Sequence, residues 1–406
     1  MKKAVIIGGG VSGIAAKKLA EREGFSCCIV SDSDTELLPE ADLIIASPGV
    51  PPLKSNLYQQ ALRSGTEFIG ELEFGFRFWK RPLIAVTGTN GKTTTTGLLE
   101  HLLQQCGVNA RSAGNIGRPL SDLVLDDDVD VAVVEVSNFQ LELAPEFAPD
   151  AAALLNLESD HIDRYAGGFE EYCRVKKQIF NRVPREKQVW GMSLDEAGFQ
   201  RRVTFDKTVM CIDGKPLLDQ KETDLPGAPN AENLAAATEL ILRCNERLIC
   251  DDPARFIAAV KSFRRAAHRI ETVASGKGLC FVNDSKGTNP AAVSAALDAM
   301  TAPVVIMLGG LAKGMDFSIL REKAGKVRCA VLFGQDRADI AAVLEDLLPC
   351  HDCGNDFDAA FALAVKLASP GDTVLLSPGC ASMDMFKDYK ERGERFRQAV
   401  KSFLEL

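Results

Sequence analysis

Six consecutive residues, Gly88-Thr89-Asn90-Gly91-Lys92-Thr93, combine the groups that hold a phosphate. Glycines let a backbone turn present its N–H groups, a lysine adds positive charge, and a threonine hydroxyl can serve Mg²⁺. The apolar run Leu83–Thr87 precedes them, and Leu98, Leu99, Leu102, Leu103 and Cys106 follow at helical spacing, so the loop joins a strand to a helix. Two residues separate the glycines where the generic P-loop has four, which makes this a variant. The alternative is an ordinary strand–helix turn that happens to carry a lysine.

A nucleotide site needs an acid nearby, and the apolar run Val131–Val136 contains one carboxylate, Glu135. It is either a Mg²⁺ ligand or a solvent-exposed acid at a strand end. The segment Ser159–Tyr165 gathers Asp160, His161 and Asp163 after the apolar run Ala151–Leu155; His161 is a metal ligand or a structural histidine. Near the start, Gly8, Gly10 and Gly13 form a dinucleotide-type turn after Lys3–Ile7, with Asp32 nineteen residues beyond Gly13. Taken alone, that suggests NAD; as physics it specifies only a close approach to a diphosphate. Asn283–Pro290, Leu308–Lys313 and Ser377–Ser382 each place polar groups at a strand's end, two of them with a lysine, and together would make a cationic rim for an anionic amino acid.

These motifs need an α/β frame. Short apolar strands alternate with helices in three stretches, giving an expected architecture of three domains: a Rossmann-like domain over 1–81, a P-loop-type ATPase domain over 82–267 and a second Rossmann-like domain over 268–406. The net charge of −9 argues against nucleic acid or an anionic membrane as partner. The apolar run after the first two lysines is too short for a signal peptide, and nothing approaches the roughly 20 apolar residues of a membrane span, so a cytoplasmic location is expected. Most of the twelve cysteines should then be free thiols, and Cys350-His351-Asp352-Cys353 lacks the second ligand pair of a metal site.

Taken in order, Thr87–Thr95 (TGTNGKTTT), Gly114–Gly117 (GNIG), Glu135–Glu142 (EVSNFQLE), Ser159–Tyr165 (SDHIDRY), Lys176, Asn230 and Asn233, His268-Arg269, Asn283–Asn289 (NDSKGTN), Leu308–Phe317 and Leu376–Tyr389 closely resemble the Mur ligase family. The resemblance covers essentially the whole chain. Within the family, the HIDRY, NDSK-x-TN and LSP-x-x-AS forms are similar to the branch that adds D-glutamate. Three departures are visible: Pro229 where a histidine is common, Asn138 within the usual SSFQ, and Tyr389 for a usual Phe.

The resemblance implies an ATP-dependent ligase that uses Mg²⁺, joins D-glutamate to UDP-N-acetylmuramoyl-L-alanine and works as a monomer. It implies that Gly10, Val11, Ser12 and Gly13, with Ser47, Pro48 and Gly49, lie near the UDP moiety. ATP would sit on Gly88, Thr89, Asn90, Gly91, Lys92, Thr93 and Thr94, with Asn233, Arg269 and Asp284 at its adenosine part. Lys92 would stabilise the transferring phosphate, and Asn115 would contact the phosphate or acyl group. Thr93 and Glu135 would ligate one Mg²⁺, His161 and a carbamate on Lys176 a second. Ser137, Gln140, Lys286, Thr288, Lys313, Ser382, Met383 and Tyr389 would face the substrates. Two rival readings are an NAD-dependent oxidoreductase, which leaves the Gly88–Thr93 loop and Glu135 unexplained, and a nucleotide-binding switch, which has no need of Lys286 and Lys313.

Overall fold

The computed structural model describes residues 2–159, 164–165, 167–264, 268–312 and 314–405. Contacts divide the chain into two compact units. The first comprises Met1–Leu157, Tyr165–Leu225 and Asn230–Phe263, the second Glu158–Arg164, Pro226–Pro229 and Arg264–Leu406.

The first unit opens with a parallel sheet of four strands, β1 (Lys3–Ile7), β2 (Ser26–Val30), β3 (Leu43–Ala46) and β4 (Glu67–Gly70), in the order β2-β1-β3-β4. Helix α1 (Val11–Arg22) follows the first glycine turn, α2 (Asn56–Arg63) precedes β4, and α3 (Glu71–Phe78) leads out of the sheet. The order reverses between β1 and β3. Such a switch point opens a crevice beyond the carboxyl ends of the two strands, where doubly wound sheets bind ligands.

A second parallel sheet continues the same unit. Its strands β5 (Leu83–Thr87), β6 (Ala110–Gly114), β7 (Val131–Glu135), β8 (Ala151–Leu154) and β9 (Gln188–Trp190) run in the order β6-β7-β5-β8-β9. The intervening helices are α4 (Lys92–Gln105), α5 (Leu120–Leu123), α6 (Asn138–Leu141) and α7 (Gly168–Lys177), and α8 (Ala228–Asn245) lies beyond. Leu98, Leu99, Leu102 and Leu103 of α4 pack with Ile84 and Val86 of β5 and with Leu234 and Ile241 of α8. After β9 comes an antiparallel three-stranded sheet of β10 (Val203–Asp206), β11 (Val209–Ile212) and β12 (Lys215–Asp219).

The second unit is built on a six-stranded sheet, β13 (Glu271–Gly276), β14 (Leu279–Asn283), β15 (Val304–Gly309), β16 (Val327–Phe333), β17 (Cys350–Asp352) and β18 (Thr373–Leu376), ordered β13-β14-β18-β15-β16-β17. The β13–β14 pair is antiparallel and the rest parallel. Val304, Ile306 and Leu308 enter one apolar cluster, Val305 and Met307 another. Both faces of β15 are therefore covered, which is why its sequence is an unbroken apolar run rather than an alternation. The α/β class expected from the sequence is the class observed. Cys350 belongs to the edge strand β17, and among the described residues no three His, Cys, Asp or Glu side chains cluster as metal ligands. Among the described residues, no helix is long and apolar enough to cross a membrane.

Candidate active site

At the N-terminal sheet, the turn after β1 closes on the turn after β3. Gly13 packs so tightly that a Cβ there would lie 1.9 Å from the Gly8 carbonyl oxygen, and the Ser47 hydroxyl donates to that same oxygen at 3.0 Å. Gly10, Val11, Ser12, Ser47, Pro48 and Gly49 thus follow the carboxyl ends of β1 and β3 on either side of the switch point, and Val11 is 71% exposed. Asp32, on which the NAD reading depends, has another task. Its Oδ1 accepts the Leu57 N–H of α2 at 2.9 Å, and hydrogen bonds from Ser55 and this amide hold its carboxyl below the usual carboxylate range. An acid committed to a helix start is poorly placed to grip a ribose.

The Gly88–Thr93 loop leaves β5 as expected. Gly88 and Gly91 have φ of +153° and +82°, conformations that glycine adopts at little steric cost. The Lys92 ammonium folds back over the turn and donates to the carbonyls of Gly88 and Thr89, both at 2.8 Å. Asn156, just beyond β8, holds the loop from behind: its carbonyl accepts from Thr89 N–H at 3.1 Å and its Oδ1 from Asn90 N–H at 2.8 Å. Sequence reasoning missed Asn156; the signal was an amide directly after an apolar strand. A Cβ on Gly91 would lie 2.2 Å from Asn233 Oδ1, which also accepts from Thr95 Oγ1 at 3.1 Å. The described contacts of Asn233 are therefore to the phosphate loop and to Asn230.

Glu135 is not an exposed strand-end acid. It is 3% exposed and pairs in register with Val86 of β5. Its Oε1 accepts from Asn115 Nδ2 at 2.8 Å, while Oε2 is buried with no partner among the described residues. A buried carboxylate oxygen left open beside a phosphate loop fits a divalent cation, and this orphan atom is the feature that supports Mg²⁺ here. Lys176, 1% exposed on α7, donates to the Gly88 carbonyl at 2.9 Å and lies 5.0 Å from the centre of the Tyr172 ring, whose hydroxyl bonds Thr89 Oγ1 at 2.8 Å. Lys92, Thr89 and Lys176 thus meet on one loop, and the Asn115–Glu135 pair stands at the end of β7, the strand beside β5. His161 lies outside the described residues.

Ser137 and Gln140 form a capping box at the start of α6, with Gln140 Oε1 accepting from both the backbone N–H and the hydroxyl of Ser137. Among the described residues, Gln140 Nε2 is buried without a hydrogen-bond partner. Asn138, the departure beside them, donates to the Tyr165 hydroxyl at 2.6 Å, and Tyr165 donates to Glu142 at 2.6 Å.

In the second unit, β14, β18 and β15 are neighbours, so the loops at 283–289, 377–382 and 308–312 leave adjacent carboxyl ends. Asp284 is buried; its Oδ2 accepts from Ser377 Oγ at 2.7 Å and its Oδ1 from Ile270 N–H at 3.1 Å. Desolvation pushes its carboxyl up to about 6, against the pull of the Ser377 bond and the Arg269 charge. Arg269 sits between two left-handed non-glycine residues, His268 at φ +65° and Ile270 at +45°, a local strain of the kind found at functional sites. The Lys286 ammonium lies 5.6 Å from the centre of the Tyr389 ring, and Leu311 bridges to Ala381, so two of the loops touch. Ser382 is buried and Met383 is 63% exposed; Thr288 is half-buried, and Lys313 lies outside the described residues.

Beneath these loops is a residue that sequence reasoning missed. Arg392 is fully buried, donates from Nε to Ser285 Oγ at 3.0 Å and from Nη2 to the carbonyls of Ser285 and Cys380 at 2.8 and 3.1 Å. Desolvation lowers its guanidinium to about 10. It ties the loops after β14 and β18 together from below.

Known proteins match the chain throughout. The Mur ligase middle domain matches residues 86–203, and the Mur ligase, glutamate ligase domain, residues 268–380. The UDP-N-acetylmuramoylalanine–D-glutamate ligase of Pelotomaculum thermopropionicum is 35% identical, with 99% of this chain and 98% of that one aligned. The protein of the same name from Syntrophus aciditrophicus is 36% identical over 95% of this chain and 89% of its own. Among solved structures, the UDP-N-acetylmuramate–alanine ligase of Thermotoga maritima shares the fold with a TM-score of 0.61 at 17% identity, covering 99% of this chain and 100% of its own. The Mycobacterium tuberculosis folylpolyglutamate synthase, solved with ADP and AMPPCP, shares it with a TM-score of 0.59 at 15% identity, over 81% of this chain and 92% of its own. The identity to relatives aligned over nearly their whole length places this chain in the Mur ligase family.

Proposed function

We propose that this chain is an ATP-dependent ligase joining the amine of D-glutamate to the lactoyl-alanine carboxylate of UDP-N-acetylmuramoyl-L-alanine, a cytoplasmic step of peptidoglycan precursor synthesis. The observation that carries the reading is the loop Gly88–Thr93 beside the buried, half-satisfied Glu135, in a chain 35% identical over its length to a ligase of that name.

A carboxylate is a poor electrophile; phosphorylation by ATP turns it into an acyl phosphate, whose carbonyl carbon an amine attacks with loss of inorganic phosphate. Phosphoryl transfer asks the protein mainly for positioning and for charge around the moving phosphate. The amides at Gly88–Thr94 and Lys92 meet those demands in the first unit. Mg²⁺, when bound, neutralises phosphate charge; Thr93 and Glu135 would hold one ion, His161 and a carbamate on Lys176 another. The carbamate converts a buried cation into an anion able to bind metal. Asn115, already on Glu135, orients the phosphate or acyl oxygen. Asn233, Arg269 and Asp284 serve the nucleotide. The crevice between β1 and β3 takes the UDP moiety, and the loops with Lys286, Thr288, Lys313, Ser382 and Tyr389 take D-glutamate and the sugar peptide. We assign these roles to three domains, with boundaries at 81/82 and 267/268, and to a monomer.

The test is to supply ATP, Mg²⁺ and UDP-N-acetylmuramoyl-L-alanine with D-glutamate, L-glutamate, L-alanine or diaminopimelate in turn, following phosphate release and product mass. A product with D-glutamate alone is the expected outcome. Turnover with another amino acid moves the chain to a sister activity, and none with any amino acid rejects the ligase reading.

A further inference from the structure

Helix α3 joins the two sheets of the first unit and carries two carboxylates with essentially no exposure, Glu71 at 1% and Glu73 at 0%. Burying a carboxylate is costly unless its oxygens are bonded or its charge is paired. Glu73 meets that condition: Oε1 accepts from Arg77 Nε at 3.0 Å and Oε2 from the Glu146 N–H at 3.1 Å. Glu71 does so only by half. Its Oε1 accepts the Ser121 N–H at 2.7 Å; among the described residues its Oε2 is buried without a partner and no cation pairs with it. Desolvation pushes its carboxyl up to about 7, and Asp122 nearby adds to the rise.

What Glu71 grips explains why so costly a group stays. Ser121 is the second residue of α5, whose cap position is Pro119, a residue with no side-chain acceptor, and α5 has no side-chain cap of its own. Glu71 supplies, from another element, the acceptor that a Ser or Asp would supply locally. Helix α3 comes close enough to α5 that a Cβ on Gly75 would lie 2.8 Å from the Ser121 nitrogen. Immediately before α5 is the turn that bears Asn115, closed by the Gly114 N–H on the Arg118 carbonyl at 2.9 Å. Asn115 in turn donates from its backbone N–H to the Glu135 carbonyl and from its side chain to Glu135 Oε1, both at 2.8 Å.

We infer that Glu71 is a positioning residue for acyl-phosphate formation: it caps α5 in trans and so fixes the Gly114–Gly117 turn that presents Asn115 beside Glu135. The inference rests on the function proposed above. It also makes α3, which leads out of the UDP-binding sheet, the mechanical support of the acyl-transfer side of the ATP sheet.

The test compares Glu71→Leu, which keeps the volume and removes the acceptor, with Glu71→Gln, whose amide oxygen still accepts. For Glu71→Leu we expect kcat to fall by about tenfold or more while KM for ATP moves by less than about threefold, and Glu71→Gln to recover most of kcat. A folded Glu71→Leu protein with kcat within about twofold of wild type would overturn the inference, as would equal losses in the Leu and Gln variants. Should Glu71→Leu fail to fold, Gly75→Ala decides: it pushes α5 off α3 while leaving the carboxylate in place, and the same loss of kcat at unchanged KM for ATP is expected. Normal kcat in Gly75→Ala would then refute the role. If wild type turns over only with another amino acid, the proposed function fails, yet the same comparison made with that amino acid still decides Glu71. No turnover at all defeats both.

Discussion

Replacing Gly91 by alanine puts a number on how tightly the phosphate loop is built. The residue has φ +82°, and an alanine there carries a backbone penalty of about 1–2 kcal/mol. Its new Cβ would lie 2.2 Å from Asn233 Oδ1, too close for contact, so Asn233 must move and its bond from Thr95 Oγ1 is lost. A buried hydrogen bond of that kind contributes about 1 kcal/mol. The expected destabilisation is therefore about 2–3 kcal/mol, of which about 1 kcal/mol depends on Asn233. Both tryptophans, Trp79 and Trp190, lie in the first unit, so urea unfolding followed by fluorescence reports on this region. Repeating the measurement in an Asn233→Ala background removes the obstructing oxygen, and Gly91→Ala should then cost only the backbone strain. The two substitutions must be non-additive, with a coupling of about 1 kcal/mol in the sense that each softens the other. Strict additivity would refute the contact and with it the view that Asn233 shapes the loop.

Lys176→Ala should abolish turnover, and added short-chain carboxylates should restore part of it by supplying the missing anion; an intact fold with no rescue would reject the carbamate. Asp284 has a folded value of about 6 against an ordinary 3.8, so the folded state holds its proton more tightly than the unfolded. Stability from this group is fully present below the unfolded value and is lost as pH rises through about 6, amounting to about 3 kcal/mol at pH values above both. Asp284→Asn should remove that share of the pH dependence, making the fall of unfolding free energy between about pH 4 and 6 shallower while the share of Glu71, raised to about 7, remains; an unchanged slope would assign the titration elsewhere. Arg392→Met strands the carbonyls of Ser285 and Cys380 and should destabilise the second unit by about 1–3 kcal/mol. Arg392→Lys should restore little of this, because an ammonium cannot reproduce the fork; full recovery would mean that charge alone matters. Calorimetric unfolding of the two variants decides it.

Much of this architecture was legible because it is local. Strands Lys3–Ile7 and Leu83–Thr87 coincide with unbroken apolar runs, and the phosphate loop announces itself by two glycines and a lysine between a strand and a helix. Four edge strands, β4, β6, β13 and β17, escaped, because they are short or polar and lack the period that marks a buried strand. The polar residues that escaped act over long separations: Glu71 on Ser121, Asn156 on Asn90, Arg392 on Ser285. Two of them left a readable trace: Asn156 is an amide directly after an apolar run, and Arg392, Phe396 and Val400 recur at a four-residue spacing that puts a guanidinium on the apolar face of the helix Tyr389–Leu404. Ser137 and Gln140 were singled out for substrate, and the structure also gives them a local task, the capping box at the start of α6.

Those three distant contacts solve one physical problem. A ligand loop needs glycine so that its backbone can approach a phosphate, but glycine adds chain entropy that folding must overcome and brings no side chain to pack. The turns at Gly88–Gly91, Gly114–Gly117 and Ser377–Ser382 would be loose if left to their own residues. In each region a buried polar side chain from elsewhere restrains the turn or its flank. Asn156 bonds the first turn directly, Glu71 caps the helix that follows the second, and Arg392 takes the carbonyl of Cys380 in the third. Access and rigidity are thus supplied by different residues, the first written in local motifs and the second in partners that only the fold brings together. Substitution of an anchor should therefore disturb catalysis more than ligand affinity, since the turn's donors remain present but lose their fixed position.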